Sequence, residues 1–409
     1  MPVARSLVRW GLRLAGLGLV ALVLVTQVRW HDSLHLDDGS VREGRVRPVA
    51  GGWQVQPREA GAAVEVIASS RVAGRPGQGS EADLRLGLAS LLERLGDRLP
   101  LVALVLAGLL ALIVLTAWRW QLLVRTLGLL LGFATALRLT FVGLFFNMAV
   151  PGATGGDIVK AWYAARRLGS GTRAVVSVIF DRFVGLFGLV LLAGLALVLV
   201  VPQPGAGGHD PYAALRTLVV VALASGSVLA AVLLSARVRR WLGLALLGRL
   251  LPLASLREEA GRALASYRSR PGLVLLALGL SLANHAGLVV AAMLLADALG
   301  GGAAGLGFTP FLIVVPLASL AGALPLLPGG WGVGELAYAW LLAPFGVAST
   351  EAVMLSVLLR LAQVAVSLPG GLLWAAQRGA HRPGSMAEDL ARAGGPAGSA
   401  GVPGKEASA

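Results

Sequence analysis

Long apolar runs separated by short arginine-bearing segments dominate the chain. Runs near 10–28, 100–118, 175–201, 213–235, 273–296, 309–327 and 351–375 carry few charges, and each approaches the ~20 residues that a helix needs to cross a bilayer. Two shorter apolar pieces, 139–150 and 336–346, are long enough only to enter a membrane and turn back. Between the first two runs the period changes. "HDSLHLDDGSVREGRVRP" alternates on either side of Asp38-Gly39, which predicts a β-hairpin. "RVAGRPGQGS" reads as a linker, and Leu84, Leu88, Leu91, Leu92, Leu95 and Leu99 share one helical face. That face predicts an amphipathic helix at the membrane surface. The pattern predicts an all-α polytopic integral membrane protein with a small β-rich insert.

Composition strengthens this reading. Of 409 residues, 56% are apolar without counting Gly and only 14% are charged, whereas soluble domains reach about 45–50% apolar with Gly included. The absence of Cys excludes disulfides and thiolate metal sites. His31, His35, His209, His285 and His381 are scattered with no metal-ligand spacing, so no metal or other cofactor is expected.

The net charge of +14 reads as topology once its distribution is followed. Residues 119–173 hold seven Arg/Lys against one Asp, and 235–270 hold eight Arg against two Glu. Segments 202–212, 296–308 and 325–351 hold no Arg or Lys. By the positive-inside rule the first group is cytoplasmic and the second external. Arg5, Arg9 and Arg13 place the N-terminus inside as well. The charge then meets anionic lipid, and no nucleic-acid partner is expected.

Four divisions follow. Residues 1–28 form a signal-anchor helix, since no A-x-A-like cleavage site follows it. Residues 29–98, with ten Arg and ten acidic residues, form an extracytoplasmic insert that is β-rich or, alternatively, a poorly ordered loop. With its own turn signals and balanced charge it is expected to be dispensable for folding. Residues 99–376 form the transmembrane domain. Residues 377–409, rich in Gly, Ala and Pro, read as a disordered cytoplasmic tail.

The two short pieces adjoin matching breaks. "NMAVPGATGGDIVKAWYAARR" (147–167) and "LPLLPGGWGVGELAYAW" (324–340) each interrupt a greasy run with Pro-Gly, then Gly, then an acid. Sliding the chain along itself without gaps superposes Gly156-Asp157 on Gly334-Glu335, Ala161-Trp162 on Ala339-Trp340, and Arg182 on Arg360. The acid therefore precedes the Arg by the same interval in both copies. The charge bias runs the Arg182 helix outward and the Arg360 helix inward, so the copies, about 139–201 and 309–375, are inverted repeats with re-entrant segments. Paired broken segments in inverted halves point to a transporter-type site at the repeat interface. Pro removes a donor and Gly lets the chain turn, leaving backbone groups to meet a polar ligand.

Asp181, Arg182 and Arg360 fall inside predicted spans, where each charge costs about 2.5–3.5 kcal/mol on insertion scales. Asp181 and Arg182 diverge by about 100° around a helix, so each needs its own partner. Asp157 and Glu335 are the candidates. Asn284 and His285, mid-span in 273–296, are expected to bond to a neighbouring helix.

"FFNMAVPGATGGDIVKAWYAAR", "SVIFDRFVGLFGL", "LPLLPGGWGVGELAYAWLLAPFGV" and "LLRLAQV" occur in that order. They resemble the membrane region of lysylphosphatidylglycerol synthases over about residues 100–376. In two-domain members that region is assigned to moving a modified phospholipid across the bilayer, while a cytoplasmic domain transfers an amino acid from aminoacyl-tRNA. The resemblance implies a flippase-like protein with a membrane phospholipid or lipid-linked partner. Its implied substrate-binding set is Asn147, Pro151, Gly155, Gly156, Asp157, Lys160, Asp181 and Arg182 in the first half, and Pro328, Gly332, Gly334, Glu335 and Arg360 in the second. Low-complexity sequence after 378 leaves no place for a transferase domain, so aminoacylation is not expected.

The leading expectation is a lipid translocator in the cell's inner (plasma) membrane with both termini cytoplasmic. Arg182 and Arg360 would anchor phosphate in a cavity between the repeats, with no catalytic residues. The alternative is a membrane-embedded transferase acting on a lipid-linked substrate. It would need a positioned base and a carboxylate cluster facing one aqueous side, whereas these acids sit alone in opposite breaks. A scaffold presenting the insert would explain the insert but not the breaks.

Overall fold

The computed structural model describes residues 29–57, 63–73, 84–149, 155–168, 170–199, 213–235, 254–323 and 332–378. The expected first span, the tail and both Pro-Gly breaks, with Pro151 and Pro328, lie outside the described residues.

The chain between the first two apolar runs forms an antiparallel sheet: β1 (Asp32–His35), β2 (Val41–Val49), β3 (Gly52–Pro57), β4 (Glu65–Ala68) and β5 (Leu84–Arg85), in the order β4-β3-β2-β1-β5. The predicted hairpin is there, with His35 opposite Val41. Gly39 sits in the turn at φ +80°, a region that favours glycine. Leu84 pairs with Leu34 in the sheet rather than opening the helix. The amphipathic helix α1 therefore spans only Leu88–Asp97.

Asp32 ties these elements together. Its buried carboxylate accepts hydrogen bonds from the Val46 amide at 3.0 Å, the Gly87 amide at 2.7 Å and the Ser90 hydroxyl at 2.8 Å. Three donors hold a charge that burial alone would disfavour.

The remaining helices are α2 (Leu99–Thr126), α3 (Phe133–Ala149), α4 (Gly155–Leu168), α5 (Gly171–Leu199), α6 (Ala213–Leu234), α7 (Ala254–Arg268), α8 (Pro271–Leu299), α9 (Phe308–Ala323), α10 (Val333–Leu342) and α11 (Ser349–Arg378). Pro100 and Pro271 sit in the first turns of α2 and α8, where a missing amide proton is harmless. Among the described residues, four helices (α2, α5, α8 and α11) are long and apolar enough to cross a membrane. The runs expected at 213–235 and 309–327 give shorter apolar helices, at Val219–Val232 within α6 and at Phe308–Gly322 within α9.

Helix α3 packs along α11, and α9 packs along α5. Glycine permits the first of these contacts. A side chain on Gly370 would overlap the Phe141 carbonyl, and one on Gly371 would press on the Phe145 ring.

The insert is not self-contained. One hydrophobic cluster runs from Leu34, Val46, Val55 and Ile67 of the sheet, through Leu91 of α1, to Val105, Leu299, Ala303 and Ala352. The Arg29 amide donates to Thr350 Oγ1 at 3.0 Å, and Arg94 lies over Gly300. The buried carboxylate of Glu351 accepts from the Gly302 amide at 2.7 Å. The sequence expectation of a dispensable insert therefore reverses. Replacing residues 32–80 with a Gly/Ser linker strips the cover from Leu91 and Ala303, and is expected to give aggregated protein on size exclusion in detergent. A monodisperse peak at the wild-type melting temperature would show that the helices need no sheet.

Candidate functional site

Helices α4 and α5 form a hairpin turning at Ser170, whose hydroxyl accepts from the Arg173 amide at 3.4 Å. In an antiparallel helical hairpin, residues equidistant from the turn lie level with one another. Ser170 falls almost midway along the chain between Asp157 and Arg182. Accordingly the Arg182 guanidinium contacts the Asp157 carboxylate. One turn closer to the hairpin, Lys160 Nζ lies 3.6 Å from Asp181 Oδ2. Two sequence neighbours on α5 thus serve two charges spaced i, i+3 on α4, with the signs alternating.

Arg119, on α2, completes the group. Its Nε donates to Asp181 Oδ1 at 2.9 Å, and the two side chains are 8% and 9% exposed. Gly185 leaves room for this guanidinium: an added Cβ would stand 3.4 Å from Arg119 Nη2. Lys160 Nζ sits 3.9 Å above the Trp120 ring, a cation–π contact that strengthens when desolvated. Asp181 therefore has two cationic partners in a buried setting, and together with Asp157 and Arg182 the group carries three cations against two carboxylates.

One side of the group is closed by α7. Tyr267 stacks on Phe180 with centroids 4.0 Å apart and donates its hydroxyl to the Leu123 carbonyl at 3.2 Å. Burial, aided by Asp181, raises the Tyr267 pKa above the ordinary phenol range. Glu259 accepts from the Ser170 hydroxyl at 2.6 Å. That bond, with a second from Thr172, holds its carboxyl below the usual carboxylate value.

The second half repeats the hairpin logic around Val347, which falls almost midway along the chain between Glu335 and Arg360. Arg360 Nε lies 3.2 Å from Glu335 Oε1. The other carboxylate oxygen of Glu335 accepts from the Gly332 amide at 2.6 Å, which caps α10. Gly332 has φ +83°, and Gly334 makes way for Arg360, whose Nη2 would stand 2.6 Å from an added Cβ. In the first half Asn147 performs the capping, accepting from the Gly156 amide at 2.9 Å. A side chain on Gly156 would overlap the Gly143 carbonyl. Gly155 is the first residue of α4.

The halves differ in exposure. The Arg182 side chain is 51% exposed, against 14% for Arg360 and 3% for Glu335. Each predicted acid thus meets the predicted Arg of its own half, but Asp181 does not belong to either pair. Its guanidinium partner, Arg119, was missed by sequence reasoning because it sits among charges read as topological. The available signal was its position, seven residues from the end of a 28-residue apolar helix. Asn284 and His285 behave as expected. Asn284 Oδ1 accepts from the Thr116 hydroxyl at 3.1 Å, and His285 Nε2 lies 2.9 Å from the Gly185 carbonyl. Among the described residues no group of three or more His, Asp or Glu is placed to hold a metal ion.

Comparison with known proteins gives one clear relation. The family model described as "Lysylphosphatidylglycerol synthase TM region" matches residues 84–371. No curated protein and no solved structure matches the chain. The match begins at β5 and ends within α11, so it takes in α1, both ion-paired hairpins and all four long apolar helices. On that extent of agreement the chain belongs to the lysylphosphatidylglycerol synthase transmembrane-region family and is a multi-pass membrane protein.

Proposed function

We propose that the protein is a lipid translocator, carrying the headgroup of a membrane phospholipid or lipid-linked compound between two inverted repeats. The observation that carries this is the pairing of Asp157 with Arg182 and of Glu335 with Arg360, at the same spacing in two matching hairpins. The exchange of partners supports the repeat. The first helix of each unit, α3 or α9, packs on the last helix of the other, α11 or α5. Charges kept at membrane depth mark a ligand path more often than architecture. Arg supplies a planar, permanently charged fork suited to phosphate. Asp157, Asp181 and Glu335 are each ion-paired, which favours binding over covalent chemistry and so favours translocation over a transferase.

The test is reconstitution into vesicles with a fluorescent phospholipid and quenching from outside. Loss of the protected inner-leaflet signal at a rate proportional to protein content is the expected result. Protein-free rates at every protein content would refute the proposal.

Topology is tested separately on the same chain, since it lacks native Cys. Thr309→Cys and Ser349→Cys, both exposed positions, are expected to react with an impermeant thiol reagent from outside. Ser269→Cys, also exposed, is expected to react only after permeabilisation. Labelling of Ser349→Cys solely from the cytoplasm would remove the inverted arrangement.

A further inference from the structure

Helix α5 shows a continuous outer stripe. Val175, Ile179, Arg182 and Leu186 are all exposed and follow one another at spacings of four, three and four residues, which is one face of an α-helix. Three members are what a lipid-facing surface requires, and the fourth is a guanidinium. It lies nine residues beyond Arg173, about 13 Å along the helix axis at 1.5 Å per residue. Across the hairpin, Ile158 is exposed beside Asp157. In the second half, Arg360 is off the exposed stripe of its helix, and the following residue, Leu361, is on it.

Resting on the translocator reading, we infer that the headgroup enters sideways from the bilayer through a slot between α4 and α5, where Arg182 takes the phosphodiester. The acyl chains stay outside against Val175, Ile179, Leu186 and Ile158. Arg360 is then an internal brace rather than a second anchor. The charge balance supports an anion at this place. Arg182 opens onto the surface while Arg119 and Lys160 lie behind it, and among the described residues the group has one positive charge in excess. A phosphodiester carries a single negative charge and offers two oxygens to the guanidinium fork. When it takes over Arg182, Asp157 remains one turn from Lys160 on α4, close enough for the two charges to interact. No carboxylate is stranded by the exchange.

The experiment uses full-length protein in nanodiscs of phosphatidylglycerol and phosphatidylethanolamine. Retained phospholipid is measured by native mass spectrometry, and lipid movement by the vesicle assay. Arg182→Gln is expected to lower retained lipid about tenfold, the scale of one charge-assisted bidentate contact. Ile179→Trp fills the slot without touching a charge, and is expected to stop lipid movement. Leu195→Trp, also at an exposed α5 position but beyond the slot, is expected to move lipid at the wild-type rate. Millimolar glycerol 3-phosphate is expected to leave the bound lipid in place. Its displacement of lipid would show a site for soluble phosphate and overturn the inference. Wild-type movement by Ile179→Trp, or unchanged retention in Arg182→Gln, would likewise overturn it while leaving translocation standing. Retention that depends on Arg182 in a protein that moves no lipid would support the slot and refute translocation.

Discussion

Asp181→Asn is expected to destabilise the protein more than any other single charge substitution in the helical region. Asp181 lies between Arg119 at 2.9 Å and Lys160 at 3.6 Å. Its neutralisation leaves two buried cations facing each other. Removing one partner of a buried pair typically costs about 3–5 kcal/mol, and here like-charge repulsion adds to that. Intrinsic Trp fluorescence during heating in detergent provides the readout, with Trp120 lying beneath Lys160 as an internal reporter. Arg119→Gln is expected to cost less, because Lys160 still neutralises Asp181. Adding Arg119→Gln and Lys160→Met to Asp181→Asn is expected to restore most of the lost stability. Equal and small effects from Asp181→Asn and Arg119→Gln would mean that water reaches the cluster.

Arg182→Gln is expected to abolish lipid movement with the melting temperature nearly unchanged. Asp157 keeps Lys160 one turn away on α4, and removing a guanidinium from the lipid-facing side of a membrane helix relieves part of its insertion cost. Arg182→Lys is expected to transport poorly, since an ammonium cannot present two parallel donors. Arg360→Gln separates the two halves. It strands the buried Glu335 carboxylate, so instability is expected, and Glu335→Gln in the same chain is expected to repair it. An unstable Arg182→Gln together with a stable Arg360→Gln would exchange the roles of the two pairs. Full transport in both would leave these charges without a part in translocation.

The acid–Arg pairs of both halves were legible in the amino-acid sequence because of where their hairpins turn. A fixed acid-to-Arg spacing has meaning only if the turn bisects it, and Ser170 and Val347 do so within a residue. The Asp38-Gly39 hairpin was legible for the same kind of reason: a local turn sets its register. Arg119 was not, because a single Arg near a helix end looks the same whether it faces anionic lipid or a buried carboxylate. Leu84 extended the helical period by chance and was claimed by Leu34 across the sheet. The docking of the insert was illegible in principle. Its alternating residues would look alike over a private core or a shared one, and the surface they meet is built from Ala303, Ala352 and backbone amides such as that of Gly302. Small residues and main chain leave no periodic trace.

The hydrogen bond from the Arg29 amide to Thr350 joins residues 321 positions apart. A ribosome adding about 5–20 residues per second needs roughly 15–60 s to cover that interval. For that time the nascent sheet and α1 hold Leu34, Val46 and Leu91 without the start of α11, whose Ala352 completes their cover. The amino-terminal portion must therefore wait, half-finished, until the last long helix has been inserted. A translation product that stops before α11 would leave part of that apolar face uncovered.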